Sequence, residues 1–311
     1  MNIQQAKDTF RGPMVSVATP FTTDFELDLG TLHHNIRFMI DHGLKRGRGV
    51  LLVAAAGGEF PMLTMEERKQ VIKASVEAAR GEIPIAASIQ FNGTRQVIEL
   101  ARYAHEVGAV LGQLSAPFYY EPSSEDIFHL FKDVSDASDL PIMIYNNWWN
   151  TINMNVDMVE RLVELPNVVA LKWSAPSSLQ LTEGLQRFAD HLAIVDNSGE
   201  FVWCHMMGAV GFVTHLGNFW PEYPLTLWDL LEQHKYDAVI NKLAEFKWPW
   251  RKWVHKVIQE TEGEGPFIKA AMEIVGLQAG PPRRPALPVS RELGEELEGL
   301  FAKVGVPKVS A

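Results

Sequence analysis

Short runs rich in Val, Ile and Leu recur along the chain, and between them lie longer segments whose apolar residues return every three or four positions. The runs predict strands at residues 14–19, 49–54, 83–89, 110–115, 141–145, 168–172, 192–195 and 210–214. The intervening segments predict helices at 29–42, 65–79, 95–107, 125–137, 156–165, 179–189, 200–207 and 221–232, so that each strand is followed by one helix. The strands are continuously apolar rather than alternating, which is the pattern of a parallel sheet covered on both faces by crossover helices. Eight such units predict a closed α/β (β/α)8 TIM barrel over residues 12–234, with its reactive face at the carboxyl ends of the strands. A doubly wound sheet is the rival, but no Gly-x-Gly-x-x-Gly and no Walker-type loop follows any strand. From residue 235 the pattern is purely helical (236–257, 266–275 and 291–304), so residues 235–311 read as a C-terminal helical extension. The stretch Gly280-Pro281-Pro282-Arg283-Arg284-Pro285 interrupts it, because it cannot propagate a helix. Thr64 with Glu67, and Ser177 with Gln180, have the spacing of capping boxes.

Charge narrows the partners. The 311 residues carry 28 Lys and Arg against 38 Asp and Glu, and the resulting −10 repels nucleic acid and anionic membrane surfaces alike. The mixed aromatic and basic stretch 246–256 therefore reads as a packed helix or a subunit contact rather than a nucleic-acid surface. The longest apolar run, residues 50–56, falls far short of the ~20 residues of a membrane span. The single Cys204 forms no intramolecular disulfide and the N-terminus lacks a signal-peptide layout, which together point to the cytoplasm. His33, His34, Cys204, His205 and His215 are not spaced as a metal-ligand set, and no metal is expected.

Lys172 carries the most information about chemistry. It ends the apolar run Val168-Val169-Ala170-Leu171, where a barrel strand opens into the mouth, and no other lysine lies between Lys132 and Lys235. Burial there would depress the amine's pKa and make it nucleophilic toward carbonyls, although a strand-end lysine snorkelling to solvent fits the same position. Tyr145 ends the preceding strand, where a phenol can shuttle protons beside an amine or simply complete the core. After the second strand, Ala54-Ala55-Ala56-Gly57-Gly58-Glu59-Phe60 offers paired glycines whose backbone N–H groups can converge on an anion, as ordinary tight turns also do. Trp148, Trp149, Trp173 and Trp220 follow strand ends and can line the mouth or pack, and Asn147, Asn150 and His215 are candidate hydroxyl or carboxylate binders.

In order and spacing these segments resemble the dihydrodipicolinate synthase and N-acetylneuraminate lyase superfamily, from about Gly12 to Val304. Gly58-Glu59 with Leu63-Thr64 and Glu67 resembles its Gly-Glu…Leu-Thr…Glu segment, and Pro117-Phe118-Tyr119 its Pro-Tyr-Tyr. Tyr145-Asn146 resembles its Tyr-Asn, Leu171-Lys172 its strand-six Schiff-base lysine, and Gly208-Ala209-Val210-Gly211 its Gly-Ala-x-Gly, while Gly280-Pro281-Pro282-Arg283 is similar to its Gly-Pro-x-Arg. The resemblance implies a cofactor-independent lyase in which Lys172 forms an imine with a 2-oxo acid. Tyr145 would then relay protons, and Tyr119 would reach a neighbouring subunit's site. Substrate contacts are implied at Gly57, Gly58, Asn150 and Val213, with no metal or organic cofactor and with a homo-oligomer, dimer or tetramer, as the assembly. Two departures bear on substrate. Ala55-Ala56-Gly57-Gly58-Glu59 stands where the synthases have Gly-Thr-Thr-Gly-Glu, and Asn150 stands at their substrate-binding arginine. Gly57-Gly58-Glu59-Phe60 is nearer to the 5-keto-4-deoxyglucarate dehydratases, whose Tyr-Asn-Arg-Asp is here Tyr145-Asn146-Asn147-Trp148. Retro-aldol cleavage or dehydration leads, with a condensing synthase and a non-catalytic small-molecule-binding barrel as alternatives.

Overall fold

Each of the eight apolar runs forms a strand in the computed structural model, which describes residues 1–309. The strands are β1 (Gly12–Ser16), β2 (Val50–Val53), β3 (Ile85–Ser88), β4 (Leu111–Ser115), β5 (Ile142–Tyr145), β6 (Val168–Trp173), β7 (Ala193–Asp196) and β8 (Gly211–Thr214). They close into a barrel in chain order. The helices are α1 (Ile3–Thr9), α2 (Leu29–Asp41), α3 (Met65–Ala79), α4 (Thr94–Glu106), α5 (Ser124–Ala137), α6 (Val156–Val163), α7 (Ser178–Phe188), α8 (Phe201–Met206) and α9 (Glu222–Glu232). They continue as α10 (Tyr236–Lys242), α11 (Trp248–Glu260), α12 (Gly265–Val275) and α13 (Arg291–Val304). The architecture is thus a (β/α)8 barrel with added C-terminal helices. Among the described residues no helix is long and apolar enough to cross a membrane.

The chain divides into two compact units of discontinuous segments. One comprises Met1–Met14, Lys45–Leu52 and Gly81–Val213, and the other comprises Val15–Leu44, Val53–Arg80 and the chain from Thr214 onward. In the first unit the strands from β3 to β8 pair in parallel. One row of the register runs Ser115, Tyr145, Lys172, Val195, Gly211. The β5–β6 ladder shifts between Ile142, opposite Val168, and Met143, opposite Ala170. Without that one-residue shift Tyr145 would face Leu171, and Lys172 would turn to the other side of the sheet. The seam back to β1 is tight: the Gly12 N–H donates to the Val210 carbonyl at 2.9 Å, and a Cβ on Gly211 would lie 2.2 Å from the Gly12 carbonyl oxygen. Only glycine fits there.

In the second unit Thr64 and Glu67 form the reciprocal capping box expected for α3. Ser177 and Gln180, in the first unit, make only half of one. Ser177 accepts from the Gln180 N–H, but the Gln180 side chain is drawn to Asn153 instead. The single helix expected over 236–257 is two, α10 and α11, joined by a π-helical turn at Leu243–Lys247. Pro249 accounts for the break, since it has no N–H to give and its ring crowds the carbonyl four residues back. Phe246, Trp250 and Trp253 bury themselves with Phe219 and Phe301, so this stretch is a packed helix. The short α1 carries no sequence periodicity strong enough to predict it; Asn2 and Gln5 cap it reciprocally.

Candidate active site

Lys172 is the one charged residue of β6 and is 5% exposed. Successive strand residues face opposite ways, and its neighbour Trp173 packs over Gly184 of α7 with its indole N–H donated to the Leu181 carbonyl at 3.0 Å. With Trp173 committed to the helix layer, Lys172 turns inward. Trp173 is therefore a packing residue and not part of the aromatic mouth suggested by its place at a strand end. The Lys172 Nζ lies 4.0 Å from the centroid of the Tyr145 ring, its partner in the register row. It also donates a hydrogen bond to Gln113 Oε1 at 3.1 Å.

Gln113 begins a chain of buried amides and hydroxyls. Its Nε2 donates to Gln90 Oε1 at 2.7 Å, and Ser88 Oγ donates to the same oxygen at 2.8 Å. Gln90 Nε2 donates to Ser115 Oγ at 2.9 Å, and that hydroxyl donates to the Ala116 carbonyl at 2.9 Å. Sequence reasoning passes over both glutamines. The available signal is a lone polar residue inside the otherwise small and apolar run Leu111-Gly112-Gln113-Leu114, where a buried amide requires partners.

The loop after β5 is pinned by Asn146. Its Nδ2 donates to the Ser174 carbonyl and to Asn153 Oδ1, and its Oδ1 accepts from the Met154 N–H. Beyond it, Trp149 meets the Tyr145 ring edge to face at 6.3 Å and Trp148 at 5.6 Å, both indoles partly exposed. Asn147 Oδ1 is buried and has no hydrogen-bond partner among the described residues, whereas Asn150 is exposed and Val213 of β8 half-buried. Tyr119 is 88% exposed at a φ of 81°, a left-handed backbone that costs a non-glycine residue about 1–3 kcal/mol. The segment before it is held by Asn92 Oδ1, which accepts from the Phe118 N–H at 2.8 Å.

The Gly57-Gly58 turn belongs to the second unit. The Gly57 N–H donates to Ser16 Oγ at 3.1 Å and the Gly58 N–H to the Ala55 carbonyl at 3.0 Å. A Cβ at Gly57 would lie 2.7 Å from Ser16 Oγ, and one at Gly58 2.9 Å from Thr19 Oγ1, so packing alone requires both glycines. Glu59, next in the chain and itself left-handed, unlike the two glycines, pairs with Lys269 at 2.7 Å, the two side chains being 6% and 2% exposed. Burial lowers the Lys269 pKa while Glu59 opposes the shift. Lys269 and Arg283 both approach the Phe21 ring, at 4.1 and 4.3 Å from its centroid. Arg283 also donates its backbone N–H to Glu59 Oε2 and Nη2 to Glu67 Oε1, at 2.8 and 2.7 Å. Burial raises the Glu67 carboxyl, but hydrogen bonds from Arg283 and the Thr64 N–H outweigh it and leave the pKa below its ordinary value. His215 pairs with Glu264 at 2.9 Å in the same unit. Trp220 packs on Tyr223 and Phe246 there.

Residues 9–303 match the model of the dihydrodipicolinate synthetase family. A 4-hydroxy-tetrahydrodipicolinate synthase of Clostridium perfringens is 30% identical over 89% of this chain and 92% of its own, and one of Methanothrix thermoacetophila is 29% identical over 95% and 97%. The crystal structure of dihydrodipicolinate synthase from Aquifex aeolicus superposes with a TM-score of 0.86 at 26% identity, covering 97% of this chain and 100% of that one. With its barrel, its inward-turned strand-six lysine and a family match across nearly its whole length, this chain belongs to the dihydrodipicolinate synthetase family.

Proposed function

We propose that this protein is a lysine Schiff-base enzyme acting on a pyruvate-type or sugar-derived 2-oxo acid by retro-aldol cleavage or dehydration. The observation that carries the reading is the buried Lys172 amine set over the ring of Tyr145. The Lys172 Nζ adds to the C2 carbonyl carbon, and the carbonyl oxygen leaves as water. The protonated imine then draws electrons from the adjacent bond, so that C–C cleavage or loss of a C3 proton leaves an enamine. Tyr145 passes the protons. Gly57, Gly58, Asn150 and Val213 are assigned to substrate contact and Tyr119 to a neighbouring subunit's site in a homo-oligomer. Because both glycine N–H groups are already engaged, a carboxylate bound at that turn would exchange with the Ser16 hydroxyl.

A condensing synthase is the second reading, supported by the activity named for the relatives in Clostridium perfringens and Methanothrix thermoacetophila. There the same enamine would add to an aldehyde. Against it stand Ala55-Ala56-Gly57 in place of the hydroxyl-bearing loop and Asn150 in place of an arginine. Both readings share the imine, so incubation with pyruvate and borohydride should reduce it to a secondary amine at Lys172, found by peptide mass spectrometry. Absence of an adduct would overturn both and leave a binding barrel, while modification of another lysine would move the site. A substrate screen over sugar-derived and aromatic 2-oxo acids then separates cleavage and dehydration from condensation.

A further inference from the structure

The amide chain behind Lys172 has a fixed direction. A carbonyl oxygen only accepts, so Ser115 must spend its hydroxyl proton on the Ala116 carbonyl. The lone pairs left on Ser115 Oγ then call for a donor, which orients Gln90 with Nε2 toward Ser115 and Oε1 toward Gln113. That oxygen in turn calls for the Gln113 NH2. Gln113 is left with one orientation, its Oε1 toward the Lys172 amine. The alternative rotamer of the Gln113 amide would set its carbonyl oxygen against Gln90 Oε1 and its NH2 against the Lys172 amine, each mismatch at a cost of about 1–3 kcal/mol.

We infer that Gln113, oriented by Gln90, is the positioning residue for the Lys172 nucleophile. An acceptor that cannot turn into a donor takes one N–H of the amine in either protonation state. In the neutral amine it thereby fixes one N–H toward β4, so that the lone pair is directed away from that strand. It brings no charge. A carboxylate at this position would give the same geometry but favour the ammonium form, withdrawing the nucleophile. Glutamine supplies orientation without that penalty. The titratable side chains on the strands around Lys172 in its own unit are Tyr145 on β5 and Asp196 on β7. The register partner of Lys172 on β7 is Val195, whereas Asp196 stands opposite Trp173 and accepts two hydrogen bonds from Ser198.

This inference rests on Lys172 being the imine-forming residue, and the test separates the two. Two rates are followed at Lys172 by peptide mass spectrometry from acid to alkaline pH in wild type, Gln113→Leu and Gln113→Glu. One is reductive trapping with pyruvate. The other is reductive methylation with formaldehyde, which reads the amine without requiring a 2-oxo acid site. Gln113→Leu should slow both by about two- to tenfold at every pH, the effect of one lost hydrogen bond. Gln113→Glu should move the acid limb of both profiles up by about one pH unit or more, because a neighbouring anion raises the amine's pKa. Above that limb its rates should return to within about twofold of wild type, since the acceptor remains. Gln90→Leu should resemble Gln113→Leu in milder form. If wild type methylates at Lys172 but takes no pyruvate, the functional reading fails while the methylation profiles still decide the role of Gln113. Folded variants with wild-type melting curves and unchanged pH profiles would overturn it. So would a loss in Gln113→Glu that high pH does not rescue, which would mark the glutamine as packing alone.

Discussion

At the residue scale the site turns on what separates Lys172 and Tyr145 from ordinary strand-end residues. Both sit in one register row, and the amine lies over the phenol ring. If Tyr145 moves protons, its hydroxyl is the part that matters and its ring is scaffolding, so Tyr145→Phe keeps the ring that meets Trp149 and removes the hydroxyl. Turnover should fall by about 10²–10⁴-fold with an unchanged melting temperature. Near-normal turnover would demote the residue to packing. These two residues are legible in the sequence because a lysine and a tyrosine closing apolar runs stand out by type. Gln113 is as visible in position, but an amide announces no chemistry, and its meaning depends on Gln90, which lies just past the end of another strand, β3. Trp173 shows the converse: its place in the sequence fits a mouth residue, and only the alternation of the folded strand turns it into the helix layer.

At the element scale the strands and most helices follow from periodicity, because burial on both faces of a parallel sheet leaves a continuous apolar trace. What periodicity does not carry is register. The shift in the β5–β6 ladder, which decides whether Lys172 faces inward, has no marker in Ile142-Met143-Ile144 or Val168-Val169-Ala170. The clamp on α3 is half legible. Glu67 is predictable as a capping residue, but its bond to Arg283 joins positions far apart in the chain. That bond has a consequence for pH. The folded-state pKa of Glu67 lies below its ordinary 4.5, so the unfolded chain binds the extra proton between the two values. The stability Glu67 contributes is therefore fully present above pH 4.5 and is lost as pH falls through the folded-state value. In urea unfolding, Glu67→Gln should be less stable than wild type near neutrality, with the gap closing on acidification. A gap that stays constant with pH would show that the carboxylate's charge plays no part.

At the scale of the whole molecule, the feature a single chain leaves unexplained is Tyr119. It sits 88% exposed in a left-handed backbone conformation, with Tyr120 80% exposed beside it and Asn92 fixing the segment that presents them. Strain of this kind persists where the surroundings impose it, and exposed aromatic pairs are the groups that anchor subunit contacts. If Tyr119 serves a neighbouring subunit's site, as proposed, activity depends on assembly, and sedimentation at assay concentrations should show a dimer or a tetramer of two dimers. Two substitutions separate its chemistry from its contact. Tyr119→Phe keeps the ring and should lower turnover while leaving the sedimentation coefficient unchanged. Phe118→Asp should weaken assembly and activity together, because it would place an unpaired carboxylate where the proposed contact excludes water. A fully active monomer would exclude the shared site and return Tyr119 to a local role.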